Sequence, residues 1–438
     1  MSTGRRLTVL MLVLALIGAP ALVLRAFCIG ESCAQAGPVE ATVPFCPLPA
    51  WLRGQIAAGF HVGRSPEVLA ATSDTTHVMA AYGTTWPSTS DVRAATRVPL
   101  LFMGPGIRSG ELSSSLGLDR IAPTLEPLLG LRRAHPEVRA GIAIPGVVRE
   151  DARAPLVVTI VWRSVGMPEL EARPDSWPWL AKHIAGGSPD GAAGVAVPGS
   201  LPLDPAAVLT TIGTGGLPAQ HGITGTLLRG PDRVARAWNE GAPPSVITTL
   251  ADDLDLANAQ ASRVGLVAPD LTDRGLVGDG WYVEADDDDV RIVSGDPLPA
   301  VDRLLSDGYG ADAAPDMLGV VLGGPLETMD RRTEAIVAAV TSRVPDATVV
   351  VTATGSLRAA THALPGRTVA RRLDAAMGAD VVSAVGSDGV FLDPAVVTAR
   401  GISSDQVATA LRGLTGADER PLVLDAYPSF SVAFARYC

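Results

Sequence analysis

Short β-branched runs alternate with longer Ala/Leu-rich stretches along most of the chain. Val98 to Phe102 reads as a buried strand. Leu156 to Val161 (LVVTIV) reads as a strand buried on both faces, because an unbroken apolar run leaves no side for water. Val264 to Val267, Met317 to Leu322 and Ala347 to Thr352 follow the same pattern. Helical stretches lie between them: Ile121 to Leu129, begun near Asp119 and Pro123, then Ala206 to Ile212, Arg331 to Val344 and Ser404 to Leu414. Thr214 to Gly222 is a Gly/Pro-rich turn. Val382 to Phe391 suggests a strand pair around Gly386–Gly389, and Ser429 to Ala435 a last strand. This alternation predicts an α/β fold, a doubly wound, mostly parallel sheet with helices on both faces.

The N-terminus departs from the pattern. Arg5 and Arg6 precede an apolar run from Leu7 to Leu24, closed by Arg25. That length sits at the lower limit for a membrane span and exceeds the usual core of a signal peptide. The leading charges favour a cytoplasmic N-terminus with the rest of the chain outside. The expectation is an uncleaved signal-anchor, a transmembrane segment carrying an extracytoplasmic domain. The alternative is secretion after cleavage at Ala34-Gln35-Ala36. Residues 1–36 are thus signal or anchor, the Pro-rich stretch 37–56 a linker, and 57–438 a single domain.

Composition narrows the function. Of 438 residues, 47% are hydrophobic and 18% charged, so the chain can bury a large core and is not disordered. A net charge of −11, with Lys182 the sole lysine, argues against a nucleic-acid footprint. The acidic run Glu284 to Asp289 lacks the spacing of a Ca²⁺ loop and reads as a solvated loop. Four cysteines, Cys28, Cys33, Cys46 and Cys438, suit an exported, disulfide-bonded chain better than a metal site, since none stands in a Cys-x-x-Cys pair. Sequence alone leaves their connectivity open.

Two motifs carry a resemblance. Thr210 to Gly225 (TTIGTGGLPAQHGITG) resembles the T-G-x-x-P-x-x-H-G-I-x-G stretch of type I phosphodiesterase/nucleotide pyrophosphatase proteins, within the alkaline phosphatase superfamily. Arg97 to Ile107 (RVPLLFMGPGI), Leu118 to Leu125 (LDRIAPTL) and Leu128 to Leu131 (LLGL) are similar to patterns from the C-terminal end of the same superfamily. Here those patterns come before the first-strand pattern at Leu156. The reversed order implies a circular permutation, with 57–150 matching the family's C-terminal end and 151–438 the remainder. The new termini would then lie near residues 57 and 438. That implies a Cys46–Cys438 bridge, with Cys28 and Cys33 as the second pair.

The resemblance implies two zinc ions held by three Asp and three His, and a Thr or Ser nucleophile. Trp162-Arg163 stands where the first Asp belongs, and Pro205 at the nucleophile position. Gly323-Gly324-Pro325-Leu326 replaces the Asp-x-x-x-His pair, Ala353-Thr354-Gly355 the Asp-His-Gly triplet, and Tyr82-Gly83 the last His. Zinc is therefore not expected, and no other cofactor is implied. The expected function is a pseudoenzyme, a non-catalytic binding or scaffolding module at the membrane, with an anionic ligand or an envelope protein as partner. Its pocket would use Arg163, Trp162, Tyr82 and His77. The alternative is a phosphodiesterase- or phosphatase-type hydrolase with a rearranged site, for which Ser200 and Thr211 are the nucleophile candidates. His221 belongs to the turn motif and reads as structural.

Overall fold

The run LVVTIVW (Leu156–Trp162) forms an inner strand of a nine-stranded sheet, and all of its residues are buried. The computed structural model describes residues 45–71, 77–80, 96–113, 116–184, 191–278, 288–356, 362–387, 389–416, 421–423 and 425–434, together with Glu419 and Cys438. Edge to edge the sheet runs Asp289–Ile292, Val264–Ala268, Asp316–Leu322, Leu156–Trp162, Thr348–Ala353, Val98–Met103, Gly191–Val197 and Gly110–Glu111. Leu116–Gly117 also pairs with Gly191–Val197. The first five strands are parallel. Val98–Met103 is antiparallel to both of its neighbours. The architecture is the expected α/β one, a mostly parallel sheet packed with helices.

Cross-strand pairs identify what covers each face. Trp162 and Leu322 are partners, so their side chains share a face. The Trp162 indole N–H donates to Thr333 Oγ1 at 2.8 Å, which places the helix Leu326–Arg343 on that side. Gly319 points to the opposite face and meets Leu276, of the 3-10 helix Leu271–Leu276. Against that turn packs the helix Pro205–Thr214, every residue of which is buried. The two approach so closely that a methyl group on Gly213 or Gly275 would strike the other element. Asp204 caps the helix start, accepting from the Ala206 N–H at 3.0 Å. At the far end the Thr214 carbonyl accepts from Arg133 at 2.8 Å and Arg139 at 3.1 Å. Both arginines pair with Asp253, and Arg133 also lies 3.9 Å from Glu126, so two carboxylates answer the two positive charges.

A second, antiparallel sheet has the order Val382–Val385, Gly389–Leu392, Val68–Ala71, Asp425–Pro428. It builds its own core, in which Val68, Val390 and Ala426 meet Val369 and Leu373 of the helix Gly366–Met377 and Val407 and Leu411 of the helix Ser404–Arg412. Glu67 receives a two-pronged grip from Arg229 at 2.9 and 2.8 Å, and Arg229 also donates to the Leu392 carbonyl at 2.6 Å.

Several expectations need correcting. The stretch 37–56 is not all linker, because the described part from Phe45 onward is folded. A helix spans Ala50–Gly59, with Leu52 and Ile56 buried and Gly59 admitting the Leu201 carbonyl. Phe45 packs edge-on against Tyr427, with ring centroids 5.1 Å apart. The final strand is Asp425–Pro428 rather than Ser429 to Ala435, and Phe430–Ala433 is a helical turn. Pro428 has no N–H to extend the ladder. The helix at Ile121 ends at Leu125 and continues only as turns. Leu7 to Leu24, Ala36, Cys28 and Cys33 lie outside the described residues. Among the described residues no helix is long and apolar enough to cross a membrane.

Cys46 and Cys438 form the disulfide that the permuted ends implied, with Cα atoms 5.2 Å apart across a separation of 392 residues. The bridge closes nearly the whole folded body into a loop, which restricts the unfolded chain most when loops are long. Replacing both cysteines by serine is expected to lower the stability by roughly 2–5 kcal/mol. Urea unfolding of the two forms measures it, and equal midpoints would show that the bridge contributes nothing.

Candidate functional site

The carboxyl ends of the parallel strands lie along one edge of the sheet, where open α/β sheets place their ligands. Arg163 stands there directly after Leu156–Trp162, and its N–H donates to the Leu322 carbonyl at 2.8 Å. Its guanidinium donates to Asp273 Oδ2 at 3.2 Å. Asp273 is fully buried, whereas Arg163 keeps 22% of its side chain exposed. Asp273 lies in the turn Leu271–Leu276, whose start is capped by Asp270. Asp270 accepts from the Thr272 N–H and hydroxyl and from Arg236, at 2.9 and 2.7 Å. Burial works against the Asp270 charge, but Thr272 and Arg236 outweigh it and hold the carboxyl below its ordinary value.

Asp273 goes the other way. Burial pushes its carboxyl up to about 7, Arg163 offsets part of the rise, and the nearby charges of Asp270 and Asp204 add to it. One carboxyl oxygen, Oδ1, has no hydrogen-bond partner. Asp204 is a third carboxylate in the region, but its oxygens are occupied. Oδ1 accepts from the Ala206 N–H and the Thr226 hydroxyl, and Oδ2 from the Ser387 hydroxyl at 2.9 Å.

The nucleophile candidates do not fit that role. Thr211 is fully buried, and its hydroxyl contacts His221 Nε2 at 3.1 Å. The Ile223 N–H donates to His221 Nδ1 at 3.1 Å, so the ring proton sits on Nε2 and is donated to Thr211. Burial drives the His221 ring down to about 3, so it stays neutral. Its free lone pair is already used, and it cannot take a proton from Thr211. His221 is structural, as the turn motif suggested. Ser200 is also fully buried, with an unpartnered hydroxyl. The helix Ala50–Gly59 lies against the adjoining residue, where the Leu201 N–H donates to the Gln55 carbonyl at 3.0 Å.

Of the proposed pocket residues, Arg163 stands at the site and Trp162 does not. Trp162 belongs to the core, because the last residue of a fully covered strand points its ring under the helix Leu326–Arg343. His77 opens the strand His77–Ala80, in register with His362 of the strand His362–Pro365. Tyr82 lies outside the described residues. Asp273 and Asp204 escaped the sequence reading. The signal was present in Pro269-Asp270-Leu271-Thr272-Asp273, two acids straight after a buried strand.

Among the described residues no three His, Cys, Asp or Glu side chains are grouped so as to hold a metal ion. Thr354, in the place of the expected triplet, accepts from the Ser164 N–H at 2.8 Å instead.

No protein-family model matches the chain, and neither does any curated protein. Among solved structures it is similar to wild type alkaline phosphatase PafA, at 16% identity and a TM-score of 0.38, over 59% of this chain and 76% of that one. An overlap so loose has no bearing on the site.

The Asp273 carboxyl yields a signed pH dependence. Its folded value of about 7 lies above the unfolded value near 3.8, so the carboxyl favours folding only while protonated. Its contribution is complete below pH 4 and is lost as the pH rises to 7. The rise corresponds to roughly 4 kcal/mol at most. Asp273→Asn, which stays neutral, is expected to gain stability relative to the wild type as the pH goes from 4 to 8. Urea unfolding across that range checks it, and a pH-independent difference would count against a raised value.

Proposed function

We propose that this chain is an exported, membrane-anchored binding or scaffolding module. On this reading it is built on a circularly permuted alkaline phosphatase-like fold and does not carry out metal-dependent phosphoester hydrolysis. The observation that carries the reading is the Arg163–Asp273 pair at the end of the strand Leu156–Trp162. A guanidinium set where the resemblance calls for a metal-binding carboxylate repels a cation, and the buried acid beside it is engaged by that arginine.

Further observations support parts of it. The Thr211–His221 contact has the wrong proton arrangement for a nucleophile and base. Val98–Met103 lies between Thr348–Ala353 and Gly191–Val197, and Val68–Ala71 between Gly389–Leu392 and Asp425–Pro428. N-terminal strands that complete sheets built by later residues are what a permuted order requires. The Arg5-Arg6 pair before Leu7 to Leu24 supports anchoring, and the disulfide suits an oxidising compartment. The open part of the Arg163 side chain offers a cation to an anionic ligand or to an envelope protein.

The test is hydrolysis of bis-p-nitrophenyl phosphate and p-nitrophenyl phosphate by the purified chain, with added zinc and with chelator. The expected result is no turnover above background in either condition. Zinc-dependent turnover abolished by chelator would revive the hydrolase.

A further inference from the structure

The same edge of the sheet holds a cavity of about 290 Å³, at the ends of the strands Asp289–Ile292, Val264–Ala268 and Asp316–Leu322. Its lining is largely apolar, with Val267, Val293, Val321 and Leu322 among the residues that form it. Arg332, from the helix Leu326–Arg343, is the charged side chain in that lining among the described residues. The arginine is 22% exposed, and its ion-pair partner, Asp296, stands 3.6 Å away and is 57% exposed. That separation is too long for a hydrogen bond, and the Arg332 N–H groups make none to another described residue. Gly295, Gly323 and Gly324 also line it, and a methyl group on any of them would meet nothing within 4 Å. Gly324 has a φ of +115°, which a residue with a side chain rarely adopts.

We propose that this cavity binds a short-chain monocarboxylate, with the carboxylate on Arg332 and the alkyl chain on the apolar lining. The planar fork of a guanidinium matches a carboxylate in two-pronged fashion, and its long contact with Asp296 leaves that geometry unused. A single cation with one acid already beside it does not supply the charge for a dianion. The volume, at the low end of ligand pockets of roughly 300–1,000 Å³, limits the chain to a few carbons. The inference does not rest on the Arg163–Asp273 pair and would survive its failure.

The test is calorimetric titration of the full chain with sodium n-butyrate, with 1-butanol as the uncharged control. Butyrate is expected to bind and butanol not to. Arg332→Gln is expected to weaken binding roughly tenfold or more, and Asp296→Asn to strengthen it a few-fold. Arg343→Gln, at the other end of the same helix, is expected to leave it unchanged. No butyrate binding by the folded wild type, or equal binding by Arg332→Gln, would overturn the proposal. So would equal binding of butanol.

Discussion

The helix Pro205–Thr214 has no face in water, so both of its ends must be satisfied from inside the protein. Asp204 closes the start and, through Thr226 and Ser387, joins the helix to the turn after His221 and to the small-sheet hairpin. Arg133 and Arg139 close the far end, with Asp253 and Glu126 as their counter-charges. Each of these groups is costly to leave alone once buried, so the surrounding loops are fixed by the helix rather than merely packed on it. The close approach of Gly213 and Gly275 then sets where Leu271–Leu276 lies, and with it Asp273.

This constraint also sets how the polar groups near the strand ends are engaged. The carboxylates near the helix start are committed: Asp204 to hydroxyls and a backbone N–H, Asp270 to Thr272 and Arg236, Asp273 to Arg163. Thr211 and His221 are turned inward and lock each other. What faces outward is the partly exposed edge of Arg163 and, further along the same edge, the cavity beside Arg332. Each centres on an arginine beside an acid, in a chain of net charge −11.

Much of the fold was legible in the sequence because buried parallel strands announce themselves as unbroken apolar runs, as at Leu156–Trp162 and Asp316–Leu322. Gly191–Val197 was missed because Gly and Ala give no strand signal. There Gly191 is needed because the Phe102 carbonyl leaves no room for a side chain. The last strand was misplaced because Ser429 to Ala435 alternates like a strand while Phe430 and Phe434 also keep helical spacing. The Cys46–Cys438 bridge was legible only through the permuted order of the motifs. The site was less legible. Motif spacing located Arg163, but Trp162, Ser200 and Thr211 are decided by packing that no local pattern records. Asp273 matters because of its burial, a property of the tertiary fold.

The proposal turns on a buried acid paired with an arginine at the end of an inner parallel strand. Carbon-13 NMR of the Asp273 side-chain carboxyl across pH tests it most directly. The account predicts a midpoint near 7 that moves higher in Arg163→Gln, because the arginine is what restrains the rise. An ordinary midpoint of about 4, unmoved by that substitution, would contradict it.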